Sequence, residues 1–289
     1  MKKVLIDGSG SSTKIRAVYT IMKYLIQQKG IKPDIISGVS GTSLLAVPVA
    51  MGKFNELDEA LSDFDLDTFF STKPVNEKGK LTLGALKNIA CGEDYLGKMD
   101  NLRELFTEII TYDDYENYIL SKKYPPVFVC SVDFKTGKKV ITNLKTVSRY
   151  SVFVDLVISS ASIPVFVEPI ETKGQILYDG GVRNHSIGAK IMETEKITDA
   201  YCIFSRPEDY VIEKYERGNL IDSLMRTIDV MSVEISKKDE EKQRLISELR
   251  GIELTQIFIP SVLTSLYDVD PDRLKKLDEL ALIEAKKKV

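Results

Sequence analysis

Histidine is nearly absent from this chain. One residue, His185, supplies all the imidazole in a sequence of 289 residues. Imidazole is the usual base that activates a nucleophile in enzymes. If His185 does not stand beside a nucleophile, another group must accept the proton. This scarcity restricts the chemistry more than any other feature of the composition.

Two further shortages argue against broad classes of protein. The 40 basic residues are matched by 43 acidic ones, so the basic excess typical of nucleic-acid-binding proteins is missing. The three cysteines (Cys91, Cys130 and Cys202) lie far apart and share no spacing of metal ligands. We therefore expect no nucleic-acid partner, no metal and no other cofactor, with Cys130 and Cys202 as buried thiols.

Long apolar runs are missing as well. No stretch approaches the roughly 20 apolar residues that span a bilayer. The apolar run at residues 4–6 is too short for a signal peptide. Apolar residues form 43% of the chain and charged residues 29%, as in ordinary globular proteins. We expect a soluble cytoplasmic protein, with peripheral contact to a membrane left open and its oligomeric state undetermined.

The N-terminal part alternates short apolar runs with helical patterns. A strand at residues 4–6 leads through a small-residue loop into a helix that closes at Gly30. A second strand at residues 35–36 leads through a turn into an apolar helix at residues 44–51. This βαβα order predicts a parallel sheet.

The remaining segments continue the same mixed pattern. Residues 65–123 are predicted to be mostly helical or irregular, and a hairpin joins strands 126–132 and 139–143. The later predicted elements are a helix at 152–160, strands at 165–170, 175–178 and 200–205, an amphipathic helix at 220–245, a strand at 256–259 and a helix at 271–288. With no linker or repeat visible, we expect one domain over 1–289, with a core at 1–205 and a helical, final-strand part at 206–289.

The most informative local pattern surrounds Ser40. It lies in the run Gly38-Val39-Ser40-Gly41-Thr42, between an apolar strand and an apolar helix. A strand-to-helix turn strains the central residue, needs small neighbours, and aims the N-terminus of the helix at a developing anion. Gly38 supplies one small neighbour, while Thr42 stands where a second glycine is expected. The pattern predicts Ser40 as a nucleophile, with Ser43 or a plain capping serine as alternatives.

A carboxylate follows another predicted strand. In Asp179-Gly180-Gly181 the two glycines leave room for the aspartate to turn into a cleft. Asp-Gly is also a common turn pair, and alone it indicates no more than a turn. Together with Ser40 and the scarcity of histidine, it predicts Asp179 as the base, with His185 as a weaker alternative.

A third pattern is the small-residue loop Gly8-Ser9-Gly10-Ser11-Ser12, which precedes a helix carrying Lys14 in its first turn. Backbone N–H groups in such a loop bind anions, so it predicts a site for an oxyanion or a phosphate, with Lys14 as a candidate anion ligand. The loop lacks the Gly-Lys-Ser/Thr of a Walker motif and the third glycine of a dinucleotide fingerprint.

In this order, the glycine/serine loop, Gly-Val-Ser and Asp-Gly-Gly resemble patatin-like phospholipases, over almost the whole chain. The blocks 33–53, 159–166 and 178–184 carry the resemblance. It implies a three-layer α/β/α sandwich with a mostly parallel sheet. It also implies that Ser40 is the nucleophile, that Asp179 is its base, and that backbone N–H groups of Gly8, Ser9, Gly10, Ser11 and Gly41 form the oxyanion hole.

Two positions depart from the family pattern. The family loop usually has three consecutive glycines followed, after one residue, by Arg or Lys; here Gly10-Ser11-Ser12-Thr13-Lys14 keeps the cation and one glycine. Thr42 replaces a glycine beside the elbow. Both changes affect groups that stabilise an oxyanion, where the loss of one donor typically costs about 2.7–4 kcal/mol.

The resemblance implies a lipid acyl hydrolase of the phospholipase A or lysophospholipase type, acting through a Ser-Asp dyad and an acyl-serine. Its substrate would be a phospholipid or another acyl-ester lipid. Two alternatives stay open: a lipid-binding protein of the same fold that has lost catalysis, and an actin-like kinase that holds ATP in a hairpin phosphate loop at residues 7–14. Phe69, Phe70 and Leu81 are interpreted as core residues, with an acyl pocket as the alternative.

Overall fold

A twisted sheet forms the centre of the molecule. The computed structural model describes residues 2–62, 64–76, 80–210, 218, 220–263 and 268–289. Residues 77–79 of the segment predicted as helical or irregular, and residues 211–217, 219 and 264–267 of the predicted C-terminal part, lie outside this description. The strands are β1 (Val4–Gly8), β2 (Ile35–Val39), β3 (Val127–Asp133), β4 (Lys138–Asn143), β5 (Ile170–Thr172), β6 (Gln175–Asp179), β7 (Asp199–Phe204) and β8 (Glu253–Phe258).

Helices connect these strands and cover both faces of the sheet. They are α1 (Ile15–Lys23), α2 (Gly41–Met51), α3 (Phe54–Ser62), α4 (Leu66–Phe69), α5 (Leu83–Ala90), α6 (Asp100–Ile109), α7 (Tyr112–Leu120), α8 (Tyr150–Ser159), α9 (Gly188–Thr194), α10 (Leu220–Arg250) and α11 (Pro271–Lys288). A π-helical turn, Tyr24–Gln28, continues α1.

The sheet is parallel at its centre and antiparallel at one edge. Among the described residues the order is β5-β6-β3-β2-β1-β7-β8, with β4 paired to β3 outside this path. Strands β3, β2, β1, β7 and β8 run parallel to their neighbours in this order. Strands β4, β5 and β6 are antiparallel. The predicted hairpin is therefore confirmed as β3–β4.

Alternation along the central strands divides the core into two layers. Ile6, Ile36 and Ile203 belong to the apolar cluster that also contains residues of α1, α2 and α11. Their neighbours Leu5, Ile35 and Cys202 face the opposite side and pack with Ile191 and Met192 of α9. Because successive side chains of a strand point to opposite faces, both faces are buried by helices. The predicted three-layer α/β/α architecture is confirmed.

One predicted element was wrong in part. Residues 165–169 form no strand, because Val165 has a positive φ of 72° and the Val167 N–H turns back to the Ile163 carbonyl oxygen. The strand begins only at Ile170. The actin-like alternative requires a hairpin around the first loop, but β1 continues into the helical turn Ser12–Lys14 and α1, and then pairs in parallel with β2.

The amphipathic helix is longer than predicted. Its helical spacing continues from residue 220 to residue 250, and α10 ends beside Gly251, which has a positive φ of 65°. The charged distal half of α10 is exposed to solvent only in part, because Asp239, Glu240 and Gln243 are buried. In the described part of the chain, no helix is both long and apolar enough to cross a membrane.

Candidate functional site

Ser40 occupies a strained turn between β2 and α2. Its backbone has φ 56° and ψ −135°, a conformation in which residues other than glycine are uncommon, and it caps the N-terminus of α2. The turn is so tight that a Cβ atom placed on Gly38 would lie 2.7 Å from the Thr42 carbonyl oxygen. The predicted elbow is therefore present, with glycine required two residues before the serine.

Hydrogen bonds from neighbouring serines hold this turn. The Ser40 N–H donates to Ser160 Oγ over 3.1 Å, and Ser160 Oγ donates to the Cys130 carbonyl oxygen over 2.7 Å. Ser43 is fully buried, and its hydroxyl lies 2.6 Å from the Ser40 carbonyl oxygen and 3.1 Å from that of Val157. This geometry gives Ser43 a supporting position and favours Ser40, which lines the neighbouring cavities, as the accessible hydroxyl.

Asp179 ends β6 within the same pocket. It is 4% exposed, and its Oδ1 accepts a hydrogen bond of 2.6 Å from the Gly181 N–H. The close approach to β3 requires glycine next to it, since a Cβ atom on Gly180 would lie 2.3 Å from the Cys130 carbonyl oxygen. The sequence pattern Asp-Gly-Gly thus places a carboxylate, and not merely a turn, at the sheet edge.

Burial makes this carboxyl group basic. Desolvation raises the pKa of Asp179 to about 7, while hydrogen-bonding interactions with the Ser40 hydroxyl and the Gly181 N–H lower it. The described residues show no short, well-aligned hydrogen bond between Ser40 Oγ and Asp179, unlike the bond from Gly181. The two side chains line the same cavity without a well-aligned hydrogen bond between them, as is common in enzymes without a bound substrate.

The loop after β1 offers fewer free donors than predicted. The Ser9 N–H donates to the Ile203 carbonyl oxygen over 2.9 Å, and the Gly10 N–H donates to that of His185 over 2.8 Å. Gly8 lies within the sheet as the last residue of β1. Three of the five predicted oxyanion residues therefore build the loop rather than point donors into the pocket.

Ser11 and Gly41 are the two predicted residues that remain. Gly41 packs against the loop, because a Cβ atom on Gly41 would lie 2.9 Å from Ser11 Oγ and 3.4 Å from the Ser12 backbone nitrogen. Within the described residues, no hydrogen bond takes up the N–H of Ser11 or Gly41. Ser12, the last residue of the predicted loop, has a left-handed φ of 45° where the family loop has glycine.

Thr42 stabilises the serine-containing loop that follows β1. Its Oγ1 donates to the Ser9 carbonyl oxygen over 2.6 Å and lies 3.2 Å from Ser11 Oγ. Its Cγ2 fills the space beside Gly8, where an added Cβ atom would lie 2.4 Å away. The two departures from the family pattern therefore meet, since the threonine side chain supports the loop that has lost glycines.

Lys14 and His185 face the pocket from either side of this loop. Lys14 Nζ donates to the Ser205 carbonyl oxygen over 2.8 Å, and burial lowers its pKa to about 8. Burial also lowers the pKa of His185 to about 4, followed by the charges of Arg206 and Lys14, so its imidazole is neutral at pH 7. A Cβ atom on Gly10 would lie 3.2 Å from His185 Nδ1.

One cavity of about 160 Å³ joins these groups. Its lining includes Ser40, Asp179, Lys14 and His185, together with residues of α10 such as Met231. Sequence reasoning missed Arg206, which also lines it and pairs with the buried Glu240. The signal was weak, because Arg206 follows β7 with no motif around it.

A separate apolar cavity lies on the other side of Ser40. It measures about 50 Å³, and its lining includes Ser40, Gly41, Phe69 and Phe70. A further apolar cavity of about 40 Å³ shares Phe69 with it. Phe69 and Phe70 thus line space beside the elbow, whereas Leu81 forms an isolated bridge with Val75.

A buried polar network connects α10 to the loop that follows Asp179. Asp7 accepts hydrogen bonds from the hydroxyl groups of Ser37 and Ser186 and from Gln243 of α10. Asp239 of α10 accepts from the Ser186 N–H over 3.0 Å and from Asn184. Burial raises the pKa of Asp7, and that of Asp239 to about 6. This network fixes the segment whose His185 carbonyl group holds Gly10.

The described residues contain no cluster of three or more His, Cys, Asp or Glu side chains arranged to hold a metal ion.

The sequence model of the Patatin-like phospholipase family matches residues 15–189, more than half of the chain. The solved structure of VipD from Legionella pneumophila has the same fold, with a TM-score of 0.54 and 12% identity over 99% of this chain and 67% of that one. No curated protein sequence matches the chain.

The bonds made by Thr42 are testable by isosteric substitution. T42V leaves the Ser9 carbonyl oxygen without its buried donor, so we expect a loss of about 1–3 kcal/mol in the free energy of unfolding. T13V is the matched control, because the buried Thr13 hydroxyl has no hydrogen-bond partner in the described structure. Urea denaturation of both variants measures the difference. Equal stabilities would contradict the role assigned to Thr42.

Because Asp179 is buried, we expect its ionised form to lower the free energy of unfolding. Its folded pKa of about 7 lies above the ordinary value of 3.8, so the folded state binds the extra proton and stability falls as pH rises between these values. We expect D179N to raise the melting temperature at pH 8, by roughly 2–4 °C per kcal/mol gained, and to have little effect near pH 4. A stability difference independent of pH would contradict this assignment.

Proposed function

Because the chain belongs to the patatin-like phospholipase family, we propose that it hydrolyses fatty-acyl esters of lipids with Ser40 as nucleophile and Asp179 as base. One observation carries the proposal. A serine held in a left-handed elbow shares a pocket with a buried carboxyl group whose pKa is raised to about 7. A base with a pKa near the working pH is well suited to proton transfer.

The acylation step uses both residues. The Asp179 carboxylate accepts the hydroxyl proton as Ser40 Oγ attacks the ester carbonyl carbon, and the carbonyl oxygen becomes an anion. The backbone N–H groups of Ser11 and Gly41, together with the N-terminus of α2, stabilise this charge. The tetrahedral intermediate then collapses. The ester bond breaks, the leaving alcohol takes the proton from Asp179, and an acyl-Ser40 remains.

A water molecule then hydrolyses the acyl-serine, again with Asp179 as the base. Asp179 accepts a proton from water as the oxygen attacks the acyl carbon, and the second intermediate expels Ser40 Oγ. The serine recovers its proton from Asp179, and the fatty acid is released. The neutral His185 borders this path but is not required as a base, since its pKa of about 4 makes it a weaker proton acceptor than Asp179.

The two kinds of cavity suggest where the parts of the substrate lie. The apolar cavity beside Phe69 and Phe70 suits an acyl chain, while the larger cavity contains Lys14, His185 and Arg206 and suits a polar leaving group. Lys14 is the candidate ligand for an anionic group there. A phospholipase A or lysophospholipase reaction fits this division.

Covalent labelling tests the nucleophile. A fluorophosphonate probe should add to Ser40 in the folded protein, and mass spectrometry of the peptides should locate it. S40A should abolish the adduct and lower kcat on a fatty-acyl ester by at least about 10³-fold. S43A serves as the control for the neighbouring serine, with circular dichroism to verify folding. An unlabelled Ser40 in a wild-type protein that hydrolyses no ester would favour the lipid-binding alternative without catalysis. Full hydrolysis by S40A would show that Ser40 is not the nucleophile.

The pH profile tests the base. Only ionised Asp179 accepts a proton, so kcat/KM should rise with pH and level off above an apparent pKa of about 7. D179N should lose this limb together with most of the activity. H185N should retain the limb, whatever its absolute rate, because His185 titrates near pH 4. A limb that disappears in H185N would assign the base to histidine instead.

A further inference from the structure

Helix α5 exposes an apolar face to solvent. Leu83 is 86% exposed, Leu86 48% and Ile89 50%. Positions three residues apart lie on the same side of a helix, so these three side chains form one stripe, while Ala85 is buried. Contiguous exposed apolar surface of this kind marks an interaction site more often than scattered single residues do.

Two lysines lie on α5 or just before it. Lys87 is the only charged residue of α5, and it is exposed beside Leu83 and Leu86. Lys80 is exposed just before the helix. The exposed acidic residues Glu93 and Asp94 follow only after α5 has ended. A short helix that combines leucine, isoleucine and lysine on one exposed side has the composition of a segment that lies at an anionic lipid surface.

Hydrogen bonds tie α5 to the border of the Ser40 pocket. Asn88 Nδ2 donates to the Leu96 carbonyl oxygen over 3.1 Å, and the Leu96 N–H donates to that of Val165 over 2.8 Å. Val165 is itself 44% exposed and has a positive φ of 72°. Ile163, two residues earlier, lines both the larger and the smaller cavity beside Ser40.

We propose that α5 and Val165 form a docking surface for an anionic lipid bilayer. The leucine and isoleucine side chains enter the acyl boundary, and Lys80 and Lys87 lie at the headgroup level. The connection through Leu96 and Val165 then holds the pocket beside the membrane. This surface stands on its own observations and does not depend on hydrolysis, because binding to vesicles involves neither Ser40 nor Asp179.

Sedimentation with vesicles tests the surface in the full chain carrying S40A, so that no lipid is consumed. Vesicles of phosphatidylcholine with phosphatidylglycerol should bind the protein. L83D/L86D/I89D should lower the partition coefficient at least about tenfold, since each substitution replaces an inserting side chain with a charge. K80E/K87E should weaken binding to these vesicles and have little effect on pure phosphatidylcholine.

Leu249 supplies the matched control. It is 72% exposed near the end of α10, about 20 Å along the helix from the cavity residue Ser236. L249D should bind vesicles as the parent does, and thermal melting verifies that each variant folds. Equal binding by L83D/L86D/I89D and the parent would overturn the proposal. So would a dimer that this variant dissolves, because the stripe would then bind a second copy of the chain.

Discussion

The backbone conformation of Ser40 is the constraint on which the candidate site depends. A left-handed residue between a strand and a helix requires the two elements to approach so closely that Gly38 has no room for a side chain. The surrounding groups hold this strain in place. Ser160 accepts the elbow N–H, and Ser43 lies against the elbow carbonyl group. The result is a serine that lines the cavity while its backbone remains fixed.

In the same region, burial of the Asp179 carboxyl group is unfavourable for stability. An aspartate removed from water loses hydration that one N–H and one hydroxyl group only partly replace, which is why its pKa rises. A chain selected only for stability would have a neutral or apolar group there. The glycine beside it and the tight contact with β3 fix the carboxyl group in this environment. The raised pKa of Asp179 and its cost in stability therefore have one physical origin, the burial of the carboxyl group.

Local patterns in the sequence were sufficient for the elbow and for the carboxylate at the end of β6. Both depend on residues within a few positions of each other, where glycine spacing restricts the backbone. The occupied N–H groups of Ser9 and Gly10 were not predictable in this way, since their acceptors Ile203 and His185 are distant in sequence. The predicted strand at 165–170 failed for a related reason. Its apolar residues turn back on themselves and bond Leu96, a contact that hydrophobic spacing does not encode.

The threonine beside the elbow shows how departures from a family pattern can be interpreted. Taken separately, Thr42 and the serine-containing loop each suggest damage to an oxyanion site. In the structure the threonine hydroxyl bonds the carbonyl group of that loop, and its methyl group fills the space that Gly8 leaves. Two substitutions in contact have coupled effects, so neither is interpretable without the other.

The polar network around Asp7 and Gln243 extends the site beyond the segment that identifies the family. The match ends at residue 189, yet Gly10 is held by a loop that Asp239 and Gln243 of α10 support. A protein trimmed to the matched boundaries would keep Ser40 and Asp179. It would lose both the loop that contains Gly10 and the residues of α10 that support it. The minimal unit that preserves this pocket is therefore set by hydrogen bonding across the sheet, and homology boundaries alone would cut through it.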